Sequence, residues 1–175
     1  MRQNLAGLFA VLILAACAIP QSVPEIPTVP ANSQPCMYVC GNQALPDLSA
    51  KVQSAFNTAG LKDIQASAEA YGENCVNPQS NKVRGFATIE TDFHITVKVA
   101  EFTNTDDLGE LLEKILVILD AFPVGKIPGP QPGYISITFQ SGKAEWTLSF
   151  TASAWKAARL LGLHGAALFE KLQKK

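Results

Sequence analysis

The chain has 175 residues, 47% of them hydrophobic, and 14 Lys and Arg against 15 Asp and Glu give it a net charge of −1. That balance offers no basic field for nucleic acid and too little acidity to keep a chain unfolded. The part beyond the N-terminal region, about 130 residues, is enough for one hydrophobic core.

The first element is an apolar run from Leu5 to Cys17, preceded by the single charge of Arg2. A membrane-spanning helix needs about 20 apolar residues, so this run is too short to span. A positive n-region, an apolar h-region and small residues at its end form the pattern of a secretory signal. Leu14-Ala15-Ala16-Cys17 resembles the lipobox of bacterial lipoproteins. The resemblance covers residues 1–17 only and implies cleavage before Cys17, a diacylglyceryl group on its sulfur and, in many species, an acyl chain (palmitate is typical) on the new amine. Each buried methylene contributes about 0.8 kcal/mol, so two or three chains anchor firmly where one does not. In Gram-negative members an Asp after the cysteine favours inner-membrane retention; Ala18 stands there instead, which favours the outer membrane where one exists.

Residues 18–35 carry Pro20, Pro24, Pro27, Pro30 and Pro35 with one charge, Glu25. Prolines at that spacing favour extended polyproline II, a tether reaching roughly 50 Å. The expected organisation is a signal peptide over 1–16, the lipidated cysteine and tether over 17–35, and one domain over 36–175.

Within the domain, Leu48, Val52, Ala55, Phe56 and Ala59 recur at helical spacing, with Asp47 expected to cap the helix and Gly60 to end it. Two period-two runs follow, each a half-buried strand. In the first, Ile64, Ala66, Ala68 and Ala70 oppose Gln65, Ser67, Glu69, Tyr71 and Glu73. In the second, Ala87, Ile89, Thr91, Phe93, Ile95, Val97 and Val99 oppose Thr88, Glu90, Asp92, His94, Thr96 and Lys98. Leu108, Leu111, Leu112, Ile115, Leu119 and Phe122 then predict a helix capped by Thr105 or Asp106 and stopped by Pro123; residues 115–119 are apolar all round, which predicts that this is the most buried helix, at the centre of the core. Ile135, Ile137 and Phe139, then Ala144, Trp146, Leu148 and Phe150, mark two shorter strands joined through Ser141-Gly142. A last helical stretch, 152–172, is divided by Gly162 and Gly165.

The expected fold is α+β in the order αββαββα: an antiparallel four-stranded sheet with the helices packed on one face and the other face open. If the two long strands pair, Glu69, Tyr71 and Glu73 lie beside Glu90, Asp92 and His94 on that open face. Glu69, Glu73, Glu90, Asp92 and His94 form a candidate ligand or metal face, since carboxylates and an imidazole suit a divalent cation and paired carboxylates about 5 to 9 Å apart suit glycoside hydrolysis. A solvated sheet face also shows polar residues with no joint role.

Beyond Cys17 the chain has Cys36, Cys40 and Cys75. The odd number leaves one thiol over or one pair between chains. The favoured internal pair is Cys40–Cys75, which would pin the end of the tether to the first long strand; a zinc site of all three with His94 is a further option. The stiff loop Ile127–Gly133, with Tyr134 after it, is a candidate functional loop.

No Gly-x-Ser-x-Gly, phosphate-binding Gly-rich loop, His-Glu-x-x-His or Rossmann fingerprint occurs in the sequence, so no catalytic residue and no cofactor is assigned. The leading reading is an exported lipoprotein, facing the periplasm or the cell exterior, that binds an envelope protein or a small ligand and is not an enzyme. The alternative is an envelope hydrolase or metal-dependent enzyme working from the acidic sheet face.

Overall fold

The computed structural model describes residues 35–174; the signal peptide, Cys17 and nearly all of the tether lie outside the described residues. The elements run β1 (Met37–Ala44), α1 (Pro46–Thr58), β2 (Ile64–Val76), β3 (Val83–Lys98), α2 (Thr105–Asp120), a 3-10 turn (Val124–Lys126), β4 (Gln131–Ser141), β5 (Ala144–Thr151), α3 (Ala152–Leu160) and α4 (Gly165–Gln173). The fold is α+β, but the sheet has five strands in the order β1-β2-β3-β4-β5 and is mixed, because β3 and β4 run parallel.

Both departures from the antiparallel four-stranded expectation have physical causes. Period-two alternation is the same in parallel and antiparallel strands, so it cannot set direction. Direction is set by α2: at 1.5 Å per residue it runs back about 24 Å along the sheet, so β4 starts beside the middle of β3, with Gln131 opposite Glu90. The added strand, β1, is exposed along nearly its whole length and therefore carries no apolar alternation to read.

All the helices pack on one face. Leu48, Val52 and Phe56 of α1, Leu112, Ile115 and Leu116 of α2, Trp155 of α3 and Leu168 and Phe169 of α4 join Ala68, Ile95, Val97, Ile137, Phe139 and Leu148 of the strands in one core. Among the described residues α2 buries more positions than any other helix, Leu108, Gly109, Leu112, Ile115, Leu116 and Leu119, as its apolar stretch predicts, while Val117 on its outer side is 47% exposed. The turn after α3 divides the last helical stretch, with Gly162 and Gly165 both at positive φ.

The caps also differ in detail. α1 starts with Pro46 in its first turn and has no side-chain cap; Asp47 lies inside that turn, where a carboxylate favours the positive end of the helix dipole. Its C-terminus closes as a Schellman motif, Gly60 N–H bonding to Asn57 O and Leu61 N–H to Phe56 O. α2 is capped by Asn104, whose side chain accepts from the N–H groups of Asp106 and Asp107. The β4–β5 turn places Gly142, not Ser141, in the turn proper, with Ser141 paired to Ala144. No helix among the described residues is long and apolar enough to cross a membrane.

Candidate functional site

The open sheet face is built by the even side of β1 and the odd side of β2. The register sets Cys40 opposite Glu73, Asn42 opposite Tyr71 and Ala44 opposite Glu69. Across β2 and β3, Glu69 faces Asp92, Tyr71 faces Glu90 and Ser67 faces His94. The face continues onto β4 and β5 as a ladder of hydroxyl pairs, Ser136 with Ser149 at 3.0 Å and Thr138 with Thr147 at 2.9 Å.

The structure divides the predicted acidic cluster in two. In the first group, one oxygen of Glu69 accepts from Asn42 Nδ2 at 2.9 Å and meets His94 Nε2 at 3.1 Å, tying three strands together. Asp92 stands opposite Glu69, but its carboxylate accepts the Tyr134 N–H at 2.7 Å. That bond satisfies a backbone donor where the β3–β4 register slips between Thr91 and Phe93, so Asp92 serves the parallel pairing.

In the second group a β-bulge between Tyr71 and Gly72 shifts Glu73 away from the carboxylates and opposite Ala87. Glu73 and Glu90 flank Tyr71. The Tyr71 phenol is raised above its ordinary value, first by a hydrogen bond with Cys40, then by the Cys40 charge, burial and the two glutamates. Glu90 is raised above 4.5, mainly by burial and then by the charge of Asp92. A carboxyl whose folded pKa is raised binds more protons folded than unfolded, so it lowers stability as pH rises through that window and keeps the cost above it. Glu90→Gln is therefore expected to raise the thermal midpoint at pH 7, with the gain shrinking as pH falls toward 4.5. Thermal melts of both proteins across pH 4 to 8 check this; a gain that grows on acidification contradicts it.

Among the described residues no three of His, Cys, Asp or Glu stand together to hold a metal ion. The cysteine pairing needs correction. Cys36 bonds Cys75, with Cα atoms 5.1 Å apart, and Cys40 is a free, exposed thiol. Tyr38 is the residue directly opposite Cys75, so Cys36 and Cys40 lie diagonally on either side of it. Diagonal neighbours in a ladder are about 7 to 8 Å apart, beyond ordinary disulfide range. Cys40 is held there by its pairing with Glu73, whereas Cys36 precedes the strand and can close over Cys75. The bond also consumes two of the thiols that a zinc site with His94 requires.

A second concave site lies beneath the predicted Ile127–Gly133 loop. It is a pocket of about 420 Å³ lined by the apolar side chains of Phe93, Leu119, Phe122, Ile127 and Ile135 together with the exposed Lys156. The loop is fixed over the sheet by the buried Thr91, which donates its hydroxyl to Pro128 O at 2.7 Å, and by Gly129 at φ +92°, pressed on the backbone of Ile89 and Glu90. Asp120, also in the lining, is occupied by Trp155 Nε1 and Arg159, both at 2.9 Å. Among the described residues Lys156 has no such carboxylate. Sequence reasoning marked the loop but not the pocket, because its walls come from α2, α3 and three separate segments of chain. No family model, no curated protein and no solved structure matches this chain. The chain is thus a disulfide-clamped α+β domain with a polar open sheet face and a largely apolar pocket between β3, β4, α2 and α3.

Proposed function

We propose that the chain is an exported, lipid-anchored module of the cell envelope that binds a ligand without transforming it. The observation that carries this reading is the Cys36–Cys75 bond. Disulfides persist in oxidising, extracytoplasmic compartments, in keeping with the secretory signal. The bond also joins the first residue after the expected tether to β2 inside the sheet. A pull on a membrane tether would then bear on β2 and spare the exposed β1.

The ligand we assign to the pocket is an amphiphile with an apolar body and one anionic group. Pockets of roughly 300 to 1,000 Å³ with apolar walls and few polar groups take small ligands of this size. The apolar walls match the body and Lys156 matches the anion. Long-chain carboxylate titrated into the protein, followed by displacement of a fluorescent analogue, tests it. Lys156→Met is expected to weaken binding by about fivefold, the worth of a partly exposed ion pair of about 1 kcal/mol. Ala152→Trp, which fills the pocket, is expected to abolish it. Equal binding by both variants and the wild type would remove the pocket from the account.

Anchoring has its own test. Cys17→Ser is expected to leave a chain that is either unprocessed, with residues 1–16 still attached, or free of the membrane, and a variant cleaved before residue 17 that still sediments with membranes after a high-salt wash would overturn the lipid anchor.

A further inference from the structure

β1 is an edge strand, and among the described residues its outer side shows none of the usual protection. Natural edges are blunted by charge, proline or a bulge; Met37–Ala44 reads Met-Tyr-Val-Cys-Gly-Asn-Gln-Ala, without a charge or a proline, and its pairing with β2 has no register shift. Met37, Tyr38 and Val39 are 48%, 65% and 45% exposed.

The direction of its free hydrogen-bonding groups follows from the ladder. Leu45 N–H bonds to Ala68 O in the same register that pairs Ala44 with Glu69. Inward and outward groups alternate along an antiparallel strand, so the odd-numbered residues of β1 bond to β2 and the even-numbered ones, Tyr38, Cys40, Asn42 and Ala44, aim N–H and C=O outward.

From this we infer that β1 pairs with β1 of a second copy, antiparallel about a two-fold axis, to give one sheet running through both molecules. A two-fold pairing must set outward groups against outward groups, so an even residue faces an even residue. Two such registers lie nearest the middle of Met37–Ala44, centred on 40 or on 41; the one centred on 40 puts Cys40 opposite Cys40 and Tyr38 opposite Asn42, and of the two it alone aligns the thiols. Residues facing each other in such a hydrogen-bonded pair have Cα atoms about 5.5 Å apart, inside the range a disulfide spans. Both thiols lie on the open face, because directly opposed side chains share a face. A second copy is the occupant we assign to this edge, since a two-fold pairing in that register necessarily brings a matching exposed thiol to Cys40. The pairing forms without the bond, and the bond locks it: a small-molecule disulfide accepts the two electrons, two thiols are released from it, and one Cys40–Cys40 disulfide forms.

The test uses the full chain carrying Cys17→Ser, so that no lipid drives association, incubated with oxidised glutathione. The expected result is a dimer on a non-reducing gel with Cys40–Cys40 as the linked peptide. A dimer that dissociates on dilution is expected for the further variant Cys40→Ser. Amide hydrogen exchange in that variant should show 38, 40, 42 and 44 protected at high concentration and fast when dilute. Tyr38→Pro removes an outward N–H while sparing the bonds to β2 and is expected to slow crosslinking about tenfold or more with an unchanged circular dichroism spectrum. Should Tyr38→Pro crosslink as fast as wild type, or Cys40→Ser remain a monomer with fast β1 amides at every concentration, the inference is overturned.

Discussion

Replacing both Cys36 and Cys75 by serine is expected to cost about 4 kcal/mol of unfolding free energy, because a loop of 39 residues is closed in the unfolded chain by this bond alone. The double variant is the right test, since a single one leaves a thiol free to pair with Cys40. β1 rests mostly on its ladder with β2 and buries little of its own surface. It should therefore loosen first in the variant, as a local opening below the global transition. Denaturant titration reads the loss as a lower midpoint, and amide exchange should place the largest change in Met37–Ala44. A loss below about 1 kcal/mol would contradict loop closure as the source of the bond's stabilisation.

Gly109→Ala is expected to destabilise by about 3 kcal/mol or more, although alanine favours a helix interior over glycine by about 1 kcal/mol. Gly109 is buried in α2, and a Cβ there would fall onto the backbone carbonyl of Gly165, the first residue of α4. Backbone cannot step aside as a flexible side chain can, so the overlap outweighs the propensity gain. Gly165 cannot shift freely: it sits at φ +51° and Ala166 N–H is held by Asp106 Oδ1 at 2.9 Å. Gly125→Ala, where the added Cβ meets nothing within 4 Å, is the control and should change stability by about 0.5 kcal/mol or less. Thermal and urea melts decide between a clash and a propensity effect.

The strand faces were legible because each long strand buries one side only. Ile64, Ala68 and Ala70 on β2, and Phe93, Ile95 and Val97 on β3, are buried as their alternation requires. The pairing of β2 with β3, and hence Glu69 beside Asp92 and His94, followed from that. What stayed hidden depended on backbone rather than side-chain pattern. β1 buries almost nothing, so neither its existence nor Asn42 and Cys40 as members of the open face could be read. The parallel step depends on where α2 delivers the chain, and the bulge that moves Glu73 is a register event that the composition of Gly72 and its neighbours only hints at. The pocket needs Phe93, Ile127 and Lys156 from segments far apart in sequence, which no local periodicity connects.

Intact-mass and N-terminal peptide analysis of the full chain, extracted with detergent from the membranes of a bacterial host, decides whether a lipid on Cys17 attaches the domain to a membrane. The expected chain begins at Cys17, with residues 1–16 removed and the mass of a diacylglyceryl group, with or without a further acyl chain, on the Cys17 peptide, together with the loss of two hydrogens for the Cys36–Cys75 bond. A chain that retains Met1, or begins at an unmodified Cys17, would contradict the lipid anchor.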